Sequence, residues 1–491
     1  MKSKAMKILI IGLGLWVAPV MALANDDDGP AANMKTNLKK FYTIYNTKYY
    51  FSAAEHAKIC LTENSTKDFD GKFEKSLEDI VTYTGTESFM DFDPAIMAKY
   101  NSPTLSFILA LQSFKNGRYK DVRSYAAKIP SDHKFGAEAL FVLGSSLNLV
   151  KDYAPAKEAY EKCVSVADTA EGKQKNEKIK RYYSIIKESC VIHQARMHFK
   201  KKEFELAIQK YEVIGHQSYM WPYILLEKAW ASYSLGDYNR ALGLLVTYKS
   251  PLLDSYFFPE SEWLMALSYH RLCLWNDTLQ VVNQYYQVYK SRSDELREML
   301  NKNQGSDDYF INLMIAPIES VERQNPYIHN LVTQIRKKIK FNLDSYYFEQ
   351  ARKELAQVQK LKDKNLSLEL ATLLQEVIKH RKVALNHLVK KQMFDFINEI
   401  HKYSYDLFQL KLEVVSQQRD LLYRDKQLIS DRGRGSYANV NRRVDQYMWD
   451  FRGEFWADEL GYYSFGLKSN CSEVKKEVKK VKEGEEAQDE I

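Results

Sequence analysis

A spacing of 34 residues recurs in the first half of this 491-residue chain and restricts its possible folds more than any other feature. Windows that share a pattern of small and large residues begin at Pro103 and Ala137, and again at Glu188 and Pro222. A fifth window begins at Pro259. Repeats of this length are typical of chains that stack pairs of helices, because a single pair cannot bury its apolar face alone.

Each window predicts two helices joined by a short turn, with Ala or Gly where the helices cross. An aromatic residue follows every turn: Tyr119, Tyr153, Phe204, Tyr238 and Trp275. The windows from Glu188 and Pro259 lack a glycine before the turn, so the pattern predicts a helix pair there without a tight turn. The second and third windows begin 51 residues apart, which predicts an insertion or a lengthened helix over 165–187.

These residues resemble the tetratricopeptide repeat family over 103–290, most closely in the windows from Ala137 and Pro222. The resemblance implies a right-handed helical solenoid whose concave groove binds a peptide or helix of a partner protein. It implies no catalytic residues and no cofactor. The groove and turn positions that it suggests for partner contacts are Tyr119, Tyr153, Tyr211, Tyr238 and Tyr269.

The N-terminus has the composition of a Sec-type signal peptide. Lys2, Lys4 and Lys7 precede an apolar stretch over 8–21, and small residues then stand before Asn25. This pattern predicts cleavage after Ala24 and export to the periplasm. A membrane anchor is the alternative, but the apolar stretch is shorter than the roughly 20 residues that span a bilayer. Export disfavours nucleic acid as a partner.

Residues 25–100 are expected to form helices, either as degenerate repeats or as an N-terminal cap. The pattern predicts one amphipathic helix over 42–61 and another over 73–83. Asp93 and Pro94 have the composition of a helix start.

Residues 327–432 contain neither proline nor glycine, and apolar residues recur there at helical spacing. Long helices follow, as an intramolecular hairpin or, alternatively, a homodimeric coiled coil. Breaks are expected at Asp344 and near 362–365, with Asn365 or Ser367 as a cap, and a kink is possible over 401–404. The stretch is basic, with 20 Lys and Arg against 13 Asp and Glu. Clusters at 336–340, 379–382 and 390–391 indicate a solvated face, or else contact with an anionic envelope polymer.

Residues 447–463 combine seven aromatic and four acidic side chains. We refer to this stretch as the aromatic–acidic box. Its candidate residues are Trp449, Phe451, Glu454, Trp456, Asp458 and Glu459. If 454–460 is helical, carboxylates four residues apart share one face, which suits a peptidoglycan-binding or glycosidase site. The favoured interpretation is that the aromatics dock this segment onto the long helices, with the acids facing their basic surface; binding of a partner is a further alternative. The charged residues 468–491 are expected to be disordered.

Five cysteines are spread along the chain without CxxC spacing or a nearby histidine cluster, so no metal site is predicted. One disulfide is possible after export, and Cys163 and Cys273 are expected to be buried helix residues. Motifs of nucleotide, metalloprotease and serine hydrolase sites are absent from the sequence.

The sequence therefore predicts an all-α protein: a tetratricopeptide-like solenoid followed by long antiparallel helices or a coiled coil. The expected segments are a signal peptide over 1–24, a helical cap over 25–100, repeats over 101–292, long helices over 293–432, the box region over 433–467 and the tail. The function expected is that of a non-catalytic periplasmic scaffold, an exported bacterial repeat protein. Its partners would be envelope proteins, with peptidoglycan and self-association as further possibilities.

Overall fold

The computed structural model describes residues 30–63, 70–253, 256, 258–306, 308–317, 326–422, 440 and 453–471. Within these ranges every regular element is helical and no strand is found. The predicted signal peptide, the box residues before 453 and the tail after 471 lie outside the described residues. No helix in the described part of the chain combines the length and apolar character that a membrane crossing requires.

Nineteen α-helices are described. In chain order they are α1 Pro30–Asn46, α2 Tyr50–Glu63, α3 Gly71–Thr84, α4 Pro94–Met97, α5 Pro103–Lys115, α6 Tyr119–Ala126, α7 Gly136–Leu149, α8 Tyr153–Lys173, α9 Glu177–Lys200, α10 Phe204–Glu212, α11 Trp221–Leu235, α12 Tyr238–Val246, α13 Pro259–Arg271, α14 Trp275–Tyr285, α15 Ser291–Lys302, α16 Tyr309–Ile315, α17 Pro326–Lys337, α18 Ile339–Val358 and α19 Lys364–Leu422.

The chain forms two compact units, and each contains residues from both halves of the sequence. The first unit contains the described residues up to Met197 together with Leu343–Lys382. The second contains His198–Asn342 and the described residues from Val383 onwards. Each unit therefore combines repeat helices with a segment that comes much later in the sequence.

Four of the five predicted repeats are observed as packed helix pairs. In the first unit α5 packs on α6 and α7 on α8, and in the second α11 packs on α12 and α13 on α14. First helices of neighbouring pairs also touch, as α5 with α7 and α11 with α13. A Cβ on Gly144 would lie 2.7 Å from the ring of Tyr160, so the glycine lets α7 approach α8. The all-α, tetratricopeptide-like fold is thus confirmed.

The turns are tight even where glycine is missing, which corrects the expectation for the third and fifth windows. Lys151, Lys202 and Cys273 have positive φ values of 65°, 64° and 55°, each two residues before the aromatic residue that opens the second helix. Lys48 has the same conformation before Tyr50. An L residue in this region is strained by about 1–2 kcal/mol. The repeated geometry therefore comes from the packing of the helices, and it extends to the α1–α2 pair.

The turn at Lys48 also divides the single helix predicted over 42–61 into α1 and α2. The helix predicted over 73–83 is observed as α3. Asp93 accepts a hydrogen bond from the Ala95 N–H at 2.8 Å and caps α4, as the Asp-Pro pair indicated.

In the first unit, α18 and the start of α19 bury their apolar faces against the N-terminal helices. Ala351, Val358, Leu370 and Leu374 are buried in one core with residues of α1 to α5. Glu354 of α18 is also buried and accepts hydrogen bonds from the Phe51 N–H at 3.0 Å and the Ser52 N–H at 2.8 Å. These are first-turn donors of α2, which have no partner within their own helix. The carboxylate of one distant helix thus caps another.

Asp344 lies inside α18, so the break expected there is wrong. Of the two alternatives for 401–404, the uninterrupted one is observed in the long helix α19. Its start is as predicted within two residues, with Asp363 accepting from the Asn365 and Leu366 N–H groups. In the second unit the Tyr285 hydroxyl donates to the Ile400 carbonyl at 2.9 Å. The Tyr286 hydroxyl donates to the Ser404 carbonyl at 2.6 Å. In the second unit, α19 therefore packs on the repeat helix α14 and on the residue that follows it.

The lengthened region over 165–187 consists of the long helices α8 and α9 with a short turn between them. A disulfide joins Cys163 of α8 to Cys190 of α9. Cys163 is therefore buried, as expected, but it is not a free thiol. A second disulfide joins Cys273 to Cys471, which corrects the same expectation for Cys273. Cys60 is a free thiol in the core, and burial raises its pKa to about 12.

Candidate interaction surfaces

The tyrosines proposed from the repeat pattern occupy two kinds of position. Tyr119, Tyr153 and Tyr238 are partly exposed at the starts of second helices. Tyr211 and Tyr269 are only 2% and 4% exposed. The Tyr211 hydroxyl donates to a Glu227 carboxylate oxygen at 2.7 Å. These two rings pack in the core, so a direct role in partner contact stays a prediction that the geometry does not favour.

A row of aromatic side chains lies on the first helices α11 and α13 of the second unit. The rings of Trp230 and Trp263 are 5.4 Å apart, and Trp263 is 5.5 Å from Tyr403 of α19. Tyr233 lies 5.7 Å from Trp230 and 5.3 Å from Tyr238. We call these five residues the aromatic row. All except Tyr403 are partly exposed. The sequence pattern singled out only Tyr238, because helical periodicity places Trp230 and Trp263 in the predicted helices without showing that the two rings meet.

Two charged residues are hydrogen-bonded to rings of the row. Glu260 accepts a hydrogen bond from the Trp230 indole N–H at 2.9 Å. Arg271 donates through Nε to the Tyr233 hydroxyl at 3.0 Å, and this bond raises the pKa of the guanidinium. Burial and then the Glu260 carboxylate raise the pKa of Tyr403, which therefore stays neutral. The surface offers aromatic area with one anion and one cation, a composition typical of protein contact sites.

The described part of the box is not helical. Residues 457–461 form a turn in which Gly461 has a φ of 81°, and residues 454–456 and 462–470 have no regular secondary structure. Glu454 and Asp458 are exposed and Glu459 is partly buried, while Trp456 is 58% exposed. The shared helical face expected for these carboxylates is thus wrong. Trp449 and Phe451 lie outside the described residues.

Residues 453–471 instead form a strap along the repeat helices α11 and α12, which corrects the expected docking onto the long helices. We call this segment the C-terminal strap. Asn239 of α12 holds Leu467 on both sides: its amide oxygen accepts from the Leu467 N–H at 3.0 Å and its amide nitrogen donates to the Leu467 carbonyl at 3.1 Å. The Asn239 carbonyl accepts from the Phe465 N–H at 3.0 Å. The Gly461 N–H donates to the Thr247 hydroxyl at 3.1 Å.

Two glycines allow this close approach. A Cβ on Gly243 of α12 would overlap the carbonyl group of Tyr463. A Cβ on Gly461 would lie 2.9 Å from Leu225 and 3.0 Å from Trp221 of α11. At Gly243 the strap and α12 therefore meet backbone to backbone, and at Gly461 the strap backbone meets side chains of α11. Sequence patterns do not predict this contact, because neither glycine belongs to a periodic pattern.

A small pocket lies beside the strap between α10, α11 and Tyr462. Its polar centre is Lys228, which is 7% exposed and lies 3.4 Å from Glu212. Arg240 also pairs with Glu212, at 2.8 Å. The Lys228 ammonium is 5.8 Å from the centre of the Tyr462 ring. Because opposite charges already pair inside it, the pocket supports the docked strap rather than a separate ion site.

The basic clusters of the second half are partly used within the fold. Arg336 donates to the carbonyls of Met314 at 3.0 Å and Ala316 at 2.6 Å, near the end of α16. Arg381 donates to the Thr84 carbonyl at 2.7 Å and the Ser88 hydroxyl at 2.9 Å. Burial lowers the pKa of both guanidinium groups. These two cations satisfy carbonyls at helix ends and are not part of a free anionic-polymer site.

Among the described residues no group of His, Cys, Asp and Glu side chains is arranged to hold a metal ion.

No protein-family model matches the sequence. No curated protein matches it either. Among solved structures, it is similar to the crystal structure of the P58(IPK) TPR domain, at 13% identity and a TM-score of 0.19, over 78% of this chain and 99% of that one. A TM-score this low supports no conclusion about this chain. The tetratricopeptide-like fold therefore rests on its own helix pairs and their turns.

Proposed function

We propose that this protein is a non-catalytic scaffold that binds partner proteins through its repeat helices. The aromatic row is the observation that supports this most directly. Trp and Tyr side chains supply large contact areas at little entropic cost, and they dominate binding energy where proteins meet. Four of the five rings retain exposed surface, on the neighbouring helices α11, α12 and α13, which suits an extended or helical protein segment.

The cellular setting is part of the proposal. The signal-peptide pattern over 1–24 supports export, and the two disulfides suit an oxidising compartment. A periplasmic scaffold of an envelope machine for motility, secretion or cell-wall remodelling fits both. The intact mass of the protein purified from its native cell should lack residues 1–24. A mass that retains them would contradict export by cleavage after Ala24.

The aromatic row can be tested by a double substitution, Tyr233→Ala with Tyr238→Ala. The control is Tyr405→Ala on α19, since Tyr405 is 63% exposed. Proteins captured from envelope extract by the wild-type chain would be identified, purified and titrated against all three chains. We expect the double variant to bind at least about tenfold more weakly, as the loss of contact aromatics predicts, and the control to bind as wild type does. Equal binding by the three chains would contradict a role for the row.

A second candidate is a peptidoglycan-binding or peptidoglycan-cleaving protein that uses the aromatic–acidic box. The exposed rings of Trp456 and Tyr462, at 58% and 65%, favour it, because exposed aromatics stack on sugar rings. Sedimentation with peptidoglycan separates binding from cleavage, which releases muropeptides. Under this candidate Trp456→Ala abolishes sedimentation. Under the first candidate the protein remains in the supernatant.

A further inference from the structure

The C-terminal strap covers a face of α11 that points away from the aromatic row. Trp221, Leu225 and Lys228 recur at intervals of four and three residues and face the strap. Trp230 follows Trp221 by nine residues, which at 100° per residue places it about 180° around the helix. A surface distinct from the row of the proposed function is therefore already occupied by chain.

The strap is held much as a bound peptide is held. Asn239 contacts the backbone of Phe465 and Leu467 through three hydrogen bonds. Few side chains of the strap are buried; Leu460 is 4% and Leu467 is 9% exposed. Tyr462 between them is 65% exposed. Recognition of backbone, one small residue and two aliphatic anchors does not depend on the strap being part of the same chain.

A covalent bond stands at the end of the strap. The Asn470 N–H donates to the Leu272 carbonyl at 2.9 Å, and the next residue, Cys471, is bonded to Cys273. The two cysteines are 198 residues apart in sequence. Such a tether keeps the strap at high effective concentration beside its site, so a competing segment cannot displace it easily.

We propose that the α11–α12 face is a second protein-binding site, that the strap is its resident ligand, and that the Cys273–Cys471 disulfide controls access to it. The competing partner is an extended protein segment with an aliphatic residue, a following glycine and a second aliphatic residue six positions after the glycine. This spacing is that of Leu460, Gly461 and Leu467. Charged residues are excluded at the two anchors because both are buried.

The opening step is thiol–disulfide exchange with a dithiol reductant. One thiolate of the dithiol attacks Sγ of Cys471, the Cys273 sulfur leaves and takes up a proton, and a mixed disulfide remains. The second thiol of the dithiol then attacks the dithiol sulfur that is bonded to Cys471. The dithiol closes into its own disulfide, and the Cys471 thiol is released. Two electrons and two protons pass to the protein, and the dithiol becomes a disulfide.

The binding part is tested with a fluorescein-labelled peptide of residues 458–470 and the full chain carrying Leu460→Asp, Leu467→Asp and Cys471→Ser. These changes remove the resident strap, and circular dichroism checks the fold of the host. We expect saturable binding by fluorescence anisotropy. Adding Asn239→Ala to the host should weaken it at least about tenfold, since paired backbone contacts are lost. Asn301→Ala, an exposed position on α15, is the control and should change nothing.

Two results would overturn the site: a folded host that does not bind the peptide, or an oxidised wild-type chain that binds it as tightly as the host does. A peptide with Gly461→Val should also fail to bind, and equal binding would show that the contact is not the one described.

Control of access by the Cys273–Cys471 disulfide is tested separately, in the chain with Cys273→Ala and Cys471→Ala. This variant keeps Leu460 and Leu467 of the strap, so it remains informative if the first host misfolds. Hydrogen exchange at the amides of Phe465 and Leu467 should become about tenfold faster or more, because the strap then opens locally. Unchanged exchange would overturn control by the disulfide. Neither experiment involves the aromatic row, so failure here leaves the proposed function standing.

Discussion

Both units of the molecule cover repeat helices with chain from much later in the sequence, but they do so by different means. In the first unit α18 and α19 insert whole apolar side chains, such as Ala351 and Leu370, into a continuous core. In the second unit α19 also packs on repeat helices, but a cover of another kind is added, the C-terminal strap, which lies on α11 and α12 mainly through its backbone. A cover of the first kind removes a large apolar area from water, whereas the second depends on hydrogen bonds and one covalent bond.

The two kinds of cover differ in how permanent they are. Burial of many side chains cannot be undone without unfolding the helices that share the core. Backbone hydrogen bonds at a surface are exchanged readily for bonds to water or to another peptide, since their net contribution is only about 0.5–1.5 kcal/mol each. If the two covers differ in this way, substitutions in each should have different effects on stability.

The largest effect is expected from Glu354→Ala in the first unit. The change leaves the Phe51 and Ser52 N–H groups buried without their acceptor, which costs about 3–4 kcal/mol of unfolding free energy in all. Urea unfolding followed by circular dichroism measures it. Lys353→Ala on the same helix is an exposed control that should change little. A loss below about 1 kcal/mol would show that α18 is not a permanent cover.

We expect the disulfide that closes the shorter loop to stabilise the protein more than the one that closes the longer loop. By chain entropy alone the Cys273–Cys471 bond, across 198 residues, stabilises more than the Cys163–Cys190 bond, across 27. We expect the opposite order, because release of the strap gives the native chain freedom as well. Cys163→Ala with Cys190→Ala should lower the unfolding free energy by about 3 kcal/mol. If the Cys273→Ala, Cys471→Ala pair costs more, the strap is a structural element and the comparison fails.

The first cover should also weaken in acid through His56 of α2, which is 5% exposed. Burial, and then Lys40, lowers the pKa of His56 from 6.5 to about 4, while Glu369 of α19 acts in the opposite direction. The unfolded chain therefore binds a proton more readily than the folded chain between pH 6.5 and pH 4. Stability from this group is fully present above pH 6.5 and is lost as the pH falls through that window.

We expect His56→Asn to remove about 2 kcal/mol of the pH dependence of unfolding between pH 7 and pH 4. The measurement is urea unfolding of wild type and variant at both pH values. His380→Asn, on an exposed position of α19, should leave the pH dependence as it is. If the wild type and His56→Asn chains lose stability in parallel, the buried histidine does not titrate as the geometry implies.

Sequence patterns predicted the parts that depend on side-chain periodicity. The repeat pairs, the long α19 and the Asp93 cap all follow from spacing of apolar residues or from a local capping residue. The break predicted at Asp344 was wrong because tertiary packing holds α18 together. The tight turns at Lys202 and Cys273 were missed because packing holds these residues in a conformation that their own preferences disfavour.

The surfaces were predicted less well than the helices. The aromatic row depends on two tryptophans from different repeats, Trp230 and Trp263, meeting across a helix interface. The position of the strap depends on hydrogen bonds between Asn239 and the backbone of Leu467, 228 residues away. Neither residue type nor spacing predicts such a contact. Its disulfide joins cysteines whose separation gives no indication of a pair.

The smallest effect is expected within the strap, where two residues four positions apart should behave differently. Leu460 is 4% exposed and Trp456 is 58% exposed. Leu460→Ala should loosen docking by about 1–2 kcal/mol and speed exchange of the Phe465 amide about tenfold, since a buried anchor is shortened. Trp456→Ala should leave that amide unchanged, because its ring contributes little burial. If the tryptophan variant loosens the strap as much as the leucine variant does, side-chain packing holds the strap, and its likeness to an exchangeable peptide is lost.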